Sequence, residues 1–257
     1  MTPQQKLVAL RTIVTKEILR FSRIWIQTVL PPMITTALYF IIFGNLIGSQ
    51  IGDMDGFRYI EFIIPGIIMM SVITNAYANV VSSFFGSKFQ RHIEEMLISP
   101  VPNYIILTGF VSGGVTRGLV VGLAVTGVSL FFNPLSIYNL WVMLSMIVLT
   151  AILFALAGFI NGIYARTFDD ISIIPTFVLT PLTYLGGIFY SIHMLPEFWQ
   201  HASLANPILY MINAFRYGFL GISDISLLAS YTISIGFIVA LYTFSIYLLR
   251  KGHGIRT

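Results

Sequence analysis

Apolar residues in this sequence gather into long continuous runs, and most charged residues lie in the segments between them. A helix needs roughly 20 apolar residues to cross about 30 Å of hydrocarbon, and six runs approach or exceed that length. The fifth run is the shortest and contains Pro175 and Pro181. The predicted spans cover residues 25–44, 59–85, 104–132, 137–163, 171–187 and 227–249.

The composition indicates whether these apolar runs are surrounded by water or by lipid. Hydrophobic residues make up 56% of the 257 residues, and the mean hydropathy is +0.86. Soluble domains have an apolar share of only about 45–50%, so this chain is predicted to be embedded in lipid. In hydrocarbon only helices and closed barrels satisfy the backbone, and barrel strands would show alternating segments of about ten residues. The sequence therefore predicts an all-α membrane protein in which residues 1–257 form a single transmembrane domain.

Lysine and arginine are distributed unequally between the two sides of the predicted membrane. Six spans place both termini on one side, and eleven of the fourteen Lys and Arg residues fall there. Positive residues mark the cytoplasmic side, so both termini are predicted to be cytoplasmic. Because the net charge of +4 follows this topology, it does not indicate a nucleic-acid partner. The eleven residues are Lys6, Arg11, Lys16, Arg20, Arg23, Lys88, Arg91, Arg166, Arg250, Lys251 and Arg256.

The N-terminal segment has the periodicity of an amphipathic helix. Thr2 and Gln5 form a capping box around Pro3, which predicts an interfacial helix over residues 2–23. Its cations are expected to face lipid phosphates. The alternative is a simple leader into the first span. The apolar stripe comprises Leu7, Leu10, Val14, Ile18, Phe21 and Trp25, and the cations are Lys16, Arg20 and Arg23.

The segment over residues 188–226 is too long for a tight turn and too aromatic for a solvated loop. Pro196 and Pro207 interrupt it. We predict a re-entrant hairpin that opens to the outside, and the alternative is a hydrophobic cap lying on the outer surface. His193 and Glu197 lie four residues apart and could share a metal, although a solvated pair is the favoured interpretation, so no metal site is predicted.

A charged segment, KFQRHIEEMLISPVP, stands between the second and third spans. Ser87 and Gln90 form a possible capping box at its start, and Pro100 stops the helix by driving Ser99 out of helical geometry. The pattern predicts a cytoplasmic amphipathic helix of about three turns over residues 87–100. Such a helix can fill a groove on a partner protein, and the alternative is a loop helix without a partner. The apolar stripe of this helix comprises Phe89, Ile93 and Leu97.

Two motifs carry a family resemblance. IEEMLISPVP after a basic segment resembles the signature of type-2 ABC export permeases, a Glu-rich helix ended by a proline. LANPILYMINAFRYGFLG resembles the Asn-Pro…Arg segment of that family, and the similarity extends over nearly the whole chain. The resemblance implies a bacterial inner-membrane permease that forms a homodimer, in which each subunit docks one ATPase chain. Carried over by position, the ATPase-coupling residues are Lys88, Arg91, Glu94, Glu95, Leu97 and Pro100.

The chain contains no G-x-x-x-x-G-K-S/T motif, so it cannot cradle ATP phosphates itself. No catalytic motif is present either, and we predict no enzymatic activity and no cofactor in this chain. ATP and Mg²⁺ are expected in the partner ATPase, of which the resemblance implies two copies. Membrane lipids are the other expected partners.

Several polar residues fall within the predicted spans. Arg117 lies midway along the third span, where intramembrane charges usually face a wet cavity or the bundle interior. We predict that it lines or gates the translocation pathway, and the alternative is a structural Arg that caps carbonyls or pairs with a neighbouring span. Asn75 and Asn79 belong to a polar stripe that either lines the pathway or forms hydrogen bonds between helices. Arg216 is a further pathway candidate. Glycines at four-residue spacing predict close helix packing, within a subunit or between two: Gly109, Gly113, Gly114, Gly118 and Gly122.

These observations predict the transmembrane subunit of an ATP-driven exporter for a lipid, a glycan or a hydrophobic compound. The alternatives are a passive channel or secondary transporter without an ATPase, and a membrane scaffold that does not transport. A secondary transporter would be expected to carry internal repeats or ion-coupling carboxylates within its spans. Glu61, at the outer edge of the second span, is the one acidic residue near a span interior.

Overall fold

The computed structural model describes residues 1–252, so His253 and Arg256 lie outside the described residues. The first part of the chain forms a long helical arm and a minimal antiparallel hairpin, in which Asp53 pairs with Arg58. Its elements are α1 (Pro3–Ser22), α2 (Trp25–Tyr39), a π-helical segment (Phe40–Ile47), α3 (Gly48–Ile51), β1 (Asp53–Met54) and β2 (Phe57–Arg58).

The remainder of the described chain is helical. Its elements are α4 (Tyr59–Phe89), α5 (His92–Ile98), α6 (Asn103–Phe132), α7 (Leu140–Tyr164), α8 (Asp170–Ile174), a π-helical segment (Pro175–Leu179), α9 (Thr180–Tyr184), a 3₁₀ turn (Ile192–Met194), α10 (Glu197–Leu204), α11 (Pro207–Leu220) and α12 (Leu227–Lys251).

Five helical stretches within residues 1–252 are long and apolar enough to cross a membrane, which confirms an all-α membrane protein. They correspond to the first, second, third, fourth and sixth predicted spans. The fifth predicted span is broken into α8, a π-helical segment and α9, because Pro175 and Pro181 each lack the N–H that a regular helix requires. The six-span count therefore stays a prediction. The five stretches are Trp25–Ile51, Tyr59–Phe89, Asn103–Phe132, Leu140–Tyr164 and Leu227–Lys251.

Helix α4 lies at the centre of the subunit, between α6 and α7. Small residues on the flanking helices allow this close approach. A methyl group added to Gly118 of α6 would lie 3.2 Å from the carbonyl oxygen of Val72, and one added to Gly158 of α7 would lie 2.5 Å from that of Tyr77. Five glycines of α6 contact α1 or α4 of the same chain, so the glycine ladder serves packing within one subunit.

Helix α1 begins with the predicted capping box, in which Thr2 and Gln5 bond each other's backbone N–H groups at 2.8 and 3.3 Å. The side that packs on the bundle overlaps only partly with the predicted stripe, which shares Phe21 with it. Ile13, Glu17 and Phe21 are buried, whereas Leu7 of the stripe is 67% exposed. The expected placement of this helix in the headgroup layer stays a prediction.

The segment before α5 folds differently from the prediction. Helix α4 runs on to Phe89, and α5 begins only at His92, so the predicted helix start at Ser87 is wrong. Ser87 is buried on α4 and accepts a 3.5 Å hydrogen bond from Lys16, which explains why α4 gains an extra turn. Arg91, with φ of 62°, makes the break. The helix ends as predicted, because Ser99 before Pro100 is extended.

The two prolines predicted to interrupt the segment over residues 188–226 instead start its helices. Pro196 is the N-cap of α10, and Pro207 occupies the first turn of α11, where the missing N–H has no cost. Helix α10 exposes Phe198 and Trp199, whereas α11 is largely buried against α4, α7 and α12. The re-entrant character of this segment stays a prediction.

Candidate functional site

Helix α5 is anchored by one fully buried residue, and half-buried Met96 and Leu97 pack beside it. Ile93 is fully buried, whereas Ile98 is 86% exposed at the end of the helix. Charged groups share this exposed surface with an apolar edge, which is the mixture expected of a protein-binding surface. Of the predicted coupling residues, Arg91, Glu95 and Pro100 are exposed, and Glu94 and Leu97 are half-buried.

Lys88 has a different position from the other predicted coupling residues. Its ammonium group donates to the carbonyl oxygens of Ile163 at 2.6 Å and of Ala165 at 2.7 Å. These carbonyls belong to the C-terminal end of α7, where a cation satisfies unpaired acceptors and the helix dipole. Lys88 therefore ties the end of α4 to the end of α7, rather than pointing toward a partner.

Phe168 lies beside α5 and was not among the coupling residues predicted from the sequence. Phe168, 58% exposed, packs edge-on against Phe85 and Phe89, with ring centroids 5.0 and 5.2 Å apart. The signal in the sequence was a single phenylalanine among charged residues, in the connection between α7 and α8. We define the coupling surface as Arg91, Glu95, Ile98, Phe89 and Phe168.

The turn that carries Phe168 is held by a reciprocal cap. Asp170 accepts hydrogen bonds from the backbone N–H groups of Arg166 and Thr167 at 2.8 and 3.0 Å, and Thr167 accepts one from Asp170. These donors stabilise the carboxylate and lower the pKa of Asp170 below its ordinary value of 3.8. Asp170 thus fixes the turn that carries Phe168.

A buried ionic network joins α1 to α4, and its central residue was missed from the sequence. Glu17 is fully buried, and its Oε1 accepts a 2.7 Å hydrogen bond from Ser83. Its Oε2 lies 3.4 Å from Nε of Arg20. Arg20 also donates to the carbonyl oxygen and the Oδ1 of Asn79, at 2.8 and 2.7 Å. Arg20, expected to face lipid phosphates, thus turns inward.

This network explains half of the polar stripe on α4. Asn79 and Ser83 bind α1, and Asn79 is fully buried. Farther along the helix, Asn75 and Ser71 each donate to a carbonyl oxygen one turn earlier, at 3.0 and 3.1 Å. A buried acid at Glu17 had one signal in the sequence. It falls four residues after Ile13 and four before Phe21, on the face that packs inward.

The two remaining pathway candidates occupy different environments. Arg117 is half-buried in α6 and makes no hydrogen bond or ion pair with residues 1–252. Arg216 is fully buried in α11, with its guanidinium carbon 3.8 Å above the centre of the Phe62 ring. It donates to the carbonyl oxygens of Phe62 and Gly187, so it fastens α11 to α4 and to the turn after α9.

Within residues 1–252, no group of three or more His, Asp or Glu side chains could hold a metal ion. His193 and Glu197, the pair considered in the sequence, are both exposed.

The described chain is thus a bundle of long apolar helices with a short helix, α5, between its second and third long members. The sequence profile of the family described as "ABC-2 type transporter" matches residues 8–220, and the chain belongs to this family.

Named relatives place the chain more closely. It is 62% identical over 251 residues to the "Inner membrane transport permease YadH" of Escherichia coli strain K12, covering 97% of this chain and 98% of the relative. It is 25% identical over 203 residues to "Nodulation protein J" of Rhizobium meliloti strain 1021, covering 77% and 76%. The corresponding protein of Rhizobium leguminosarum bv. viciae is 26% identical over 208 residues, covering 79% of each chain.

The chain is therefore a multi-pass inner-membrane permease and the transmembrane subunit of an ABC transporter. Permeases of this family are non-catalytic subunits that normally work with an ABC ATPase.

Proposed function

We propose that this permease is the transmembrane half of an ATP-driven exporter for a lipid, a glycan or a hydrophobic compound. Two copies form a homodimer, each copy binds one ATPase chain, and ATP and Mg²⁺ are bound by the ATPases alone. The observation that carries the proposal is the coupling surface, which exposes charged and apolar side chains on α5 and beside it, where Ile93 fixes α5 to the bundle.

The connections of α5 suit it to transmit movement. Two residues join it to α4, and residues 99–102 join it to α6. Packed helices shift as rigid elements when one end is displaced, so a push on α5 would reach both α4 and α6. Lys88 extends this connection to α7. ATP-driven closure of the two ATPases would thus change the packing of three long helices.

The proposed orientation places both termini and α5 in the cytoplasm. The cations of α1, of the 166–170 turn and of the end of α12 support it, because the positive-inside rule counts basic residues near the ends of spans. It requires residues 171–187 to cross the membrane as a broken span. Irregular helices at membrane depth are tolerated where they pack on protein. Substrate would then leave past α10 and α11.

Charge reversal on α5 tests whether the ATPase binds at the coupling surface. We expect Glu94→Lys combined with Glu95→Lys to abolish co-purification of the ATPase while leaving membrane insertion intact, because Glu95 is exposed and Glu94 is half-buried. Glu197→Lys is the matched control, since Glu197 is exposed on α10, away from α5. Retained ATPase binding and transport in the double variant would refute the proposal that the ATPase binds at the coupling surface.

The alternative, a passive channel or secondary transporter, is less well supported. Glu61 lies at the start of α4, where its carboxylate pairs with Arg58 at 2.7 Å. Ion-coupled transport would be expected to use an acidic residue within a span. A neighbouring gene that encodes a P-loop ATPase, and substrate-stimulated ATP turnover by the purified complex, would distinguish the exporter from this alternative and from a scaffold.

A further inference from the structure

Two neighbouring cavities lie along α6 and α12. The first has a volume of about 450 Å³ and lies between α6, α7 and α12. The second, about 460 Å³, lies between the start of α6 and the end of α12. Tyr242 of α12 lines both cavities. We call the two together the α6–α12 groove.

The first cavity is chemically apolar, although it contains hydroxyl groups. The hydroxyls of Thr108, Ser112 and Thr116 donate to the backbone carbonyls of their own helix, at 2.7, 2.7 and 2.8 Å. Their donor capacity is therefore used, and the wall that they form offers mainly carbon. Its other lining includes Leu107, Val111 and further aliphatic residues. A slot of this kind in a membrane-embedded surface accommodates hydrocarbon.

The second cavity has a polar and basic lining. Arg250 and Asn103 line it together with Tyr104 and Tyr242. Arg250 is exposed, and it forms no ion pair with residues 1–252. Lys251 follows it, and its ammonium group stands 4.8 Å above the ring of Tyr247, which does not line this cavity, so Arg250 is the cation of the lining. Basic residues at a membrane surface attract anionic lipid headgroups.

A second copy of the chain fits this groove less well than a lipid. A two-fold symmetric contact uses the same surface on both subunits. Contact through this face would bury Arg250 of both copies, and its lining contains no carboxylate that could pair with either one. Burying an unpaired charge is strongly unfavourable.

We propose that the α6–α12 groove binds one anionic glycerophospholipid. An acyl chain occupies the apolar slot between α6, α7 and α12, and the phosphate lies at Arg250, within reach of the hydroxyl of Tyr242. The site is independent of the ATPase and of the transported substrate, so it can be tested on the permease alone.

Native mass spectrometry of the purified permease, titrated with phosphatidylglycerol or phosphatidylcholine, tests this site. We expect wild type to retain phosphatidylglycerol preferentially. Arg250→Gln should weaken phosphatidylglycerol binding about fivefold, as one basic residue at an anionic surface contributes about 1 kcal/mol, and should leave phosphatidylcholine unchanged. Ser112→Trp should fill the slot and reduce retention of both lipids.

Matched variants separate these effects from general changes. Arg166→Gln removes an exposed cation outside the groove, and Leu123→Trp adds a ring on α6 at a position 73% exposed and outside the groove. Both controls should bind lipid as wild type does. Equal retention of the two lipids by wild type, or wild-type binding in Arg250→Gln, overturns the proposal. So does a Ser112→Trp variant that changes the oligomeric state without changing the retained lipid.

Discussion

Gly113 of α6 is one of two glycines at which α1 packs tightly on α6, and replacing it by alanine tests how α1 is held. A methyl group at this position would lie 2.5 Å from Cβ and 3.2 Å from Cγ of Glu17. Carbon atoms pack best at about 3.5–4.0 Å, so α1 must move away by roughly 1 Å. Such a shift lengthens the 2.7 Å bond between Ser83 and Glu17, and the 2.7 Å bond between Arg20 and Asn79.

Opposing terms set the size of the effect. Overpacking costs about 1–3 kcal/mol, and weakening a hydrogen bond to a charged group costs about 1.5–3 kcal/mol. Replacing glycine by alanine within a helix returns about 1 kcal/mol. The net loss in the docking of α1 is therefore about 1.5–5 kcal/mol, which increases the population of undocked α1 by about tenfold to several thousand-fold.

Hydrogen–deuterium exchange of α1 amides in lipid nanodiscs measures this population, because exchange follows local opening when closing is fast. The chain supplies a matched control on the same helix. A methyl group added to Gly127 meets no atom within 4 Å, so Gly127→Ala should leave exchange of α1 unchanged. If α1 in Gly113→Ala exchanged within about twofold of the Gly127→Ala control, the inferred dependence of α1 on the Glu17 network would be refuted.

Three further changes test other contacts. Lys88→Met removes two hydrogen bonds to carbonyl oxygens at the end of α7 and should speed proteolysis of the 163–170 segment at least tenfold. Lys6→Met is the control and should leave the rate unchanged. Equal proteolysis rates in the two variants would contradict the role of Lys88 at the end of α7. Arg216→Lys keeps the charge but loses planar stacking on Phe62, so the Tm should fall by an amount equivalent to about 1–3 kcal/mol, more than in Arg58→Lys. Since the folded pKa of Asp170 is depressed, its capping is present above pH 3.8 and is lost as the pH falls through the folded pKa. Amide exchange of the 166–170 turn should therefore rise, relative to the intrinsic rate, as the pH falls below about 4, and Asp170→Asn should remove that dependence.

The sequence was most informative where the lipid environment or a proline restricts the backbone conformation. Long apolar runs predicted five of the helical stretches, because an unsatisfied backbone cannot stay in hydrocarbon. Pro100 predicted the end of α5, since the residue before a proline is driven into extended geometry. The start of α5 was mispredicted because tertiary contacts decide it. Ser87 and Lys88 bond to α1 and α7, and these contacts extend α4 past a local capping signal.

Buried polar groups could not be assigned from spacing alone. Asn75 and Asn79 occupy equivalent positions on one stripe, yet one bonds its own helix and the other bonds Arg20. Which outcome applies depends on the helix that packs opposite, and a single sequence does not specify that helix. Glu17 was overlooked for the same reason, because an acid on a cationic interfacial helix is normally solvated.

The positions of these contacts along α4 connect the two cytoplasmic elements of the proposed mechanism. Helix α1 binds α4 at Asn79, Ser83 and Ser87, and α5 leaves α4 only a few residues later. The last turns of α4 are thus clamped on one side by α1 and on another by the end of α7. A displacement of α5 cannot bend these turns alone, because the buried charges of Glu17 and Arg20 would lose their partners. The clamp therefore makes α4 move as a rigid body, and α1 should move with it when a partner shifts α5.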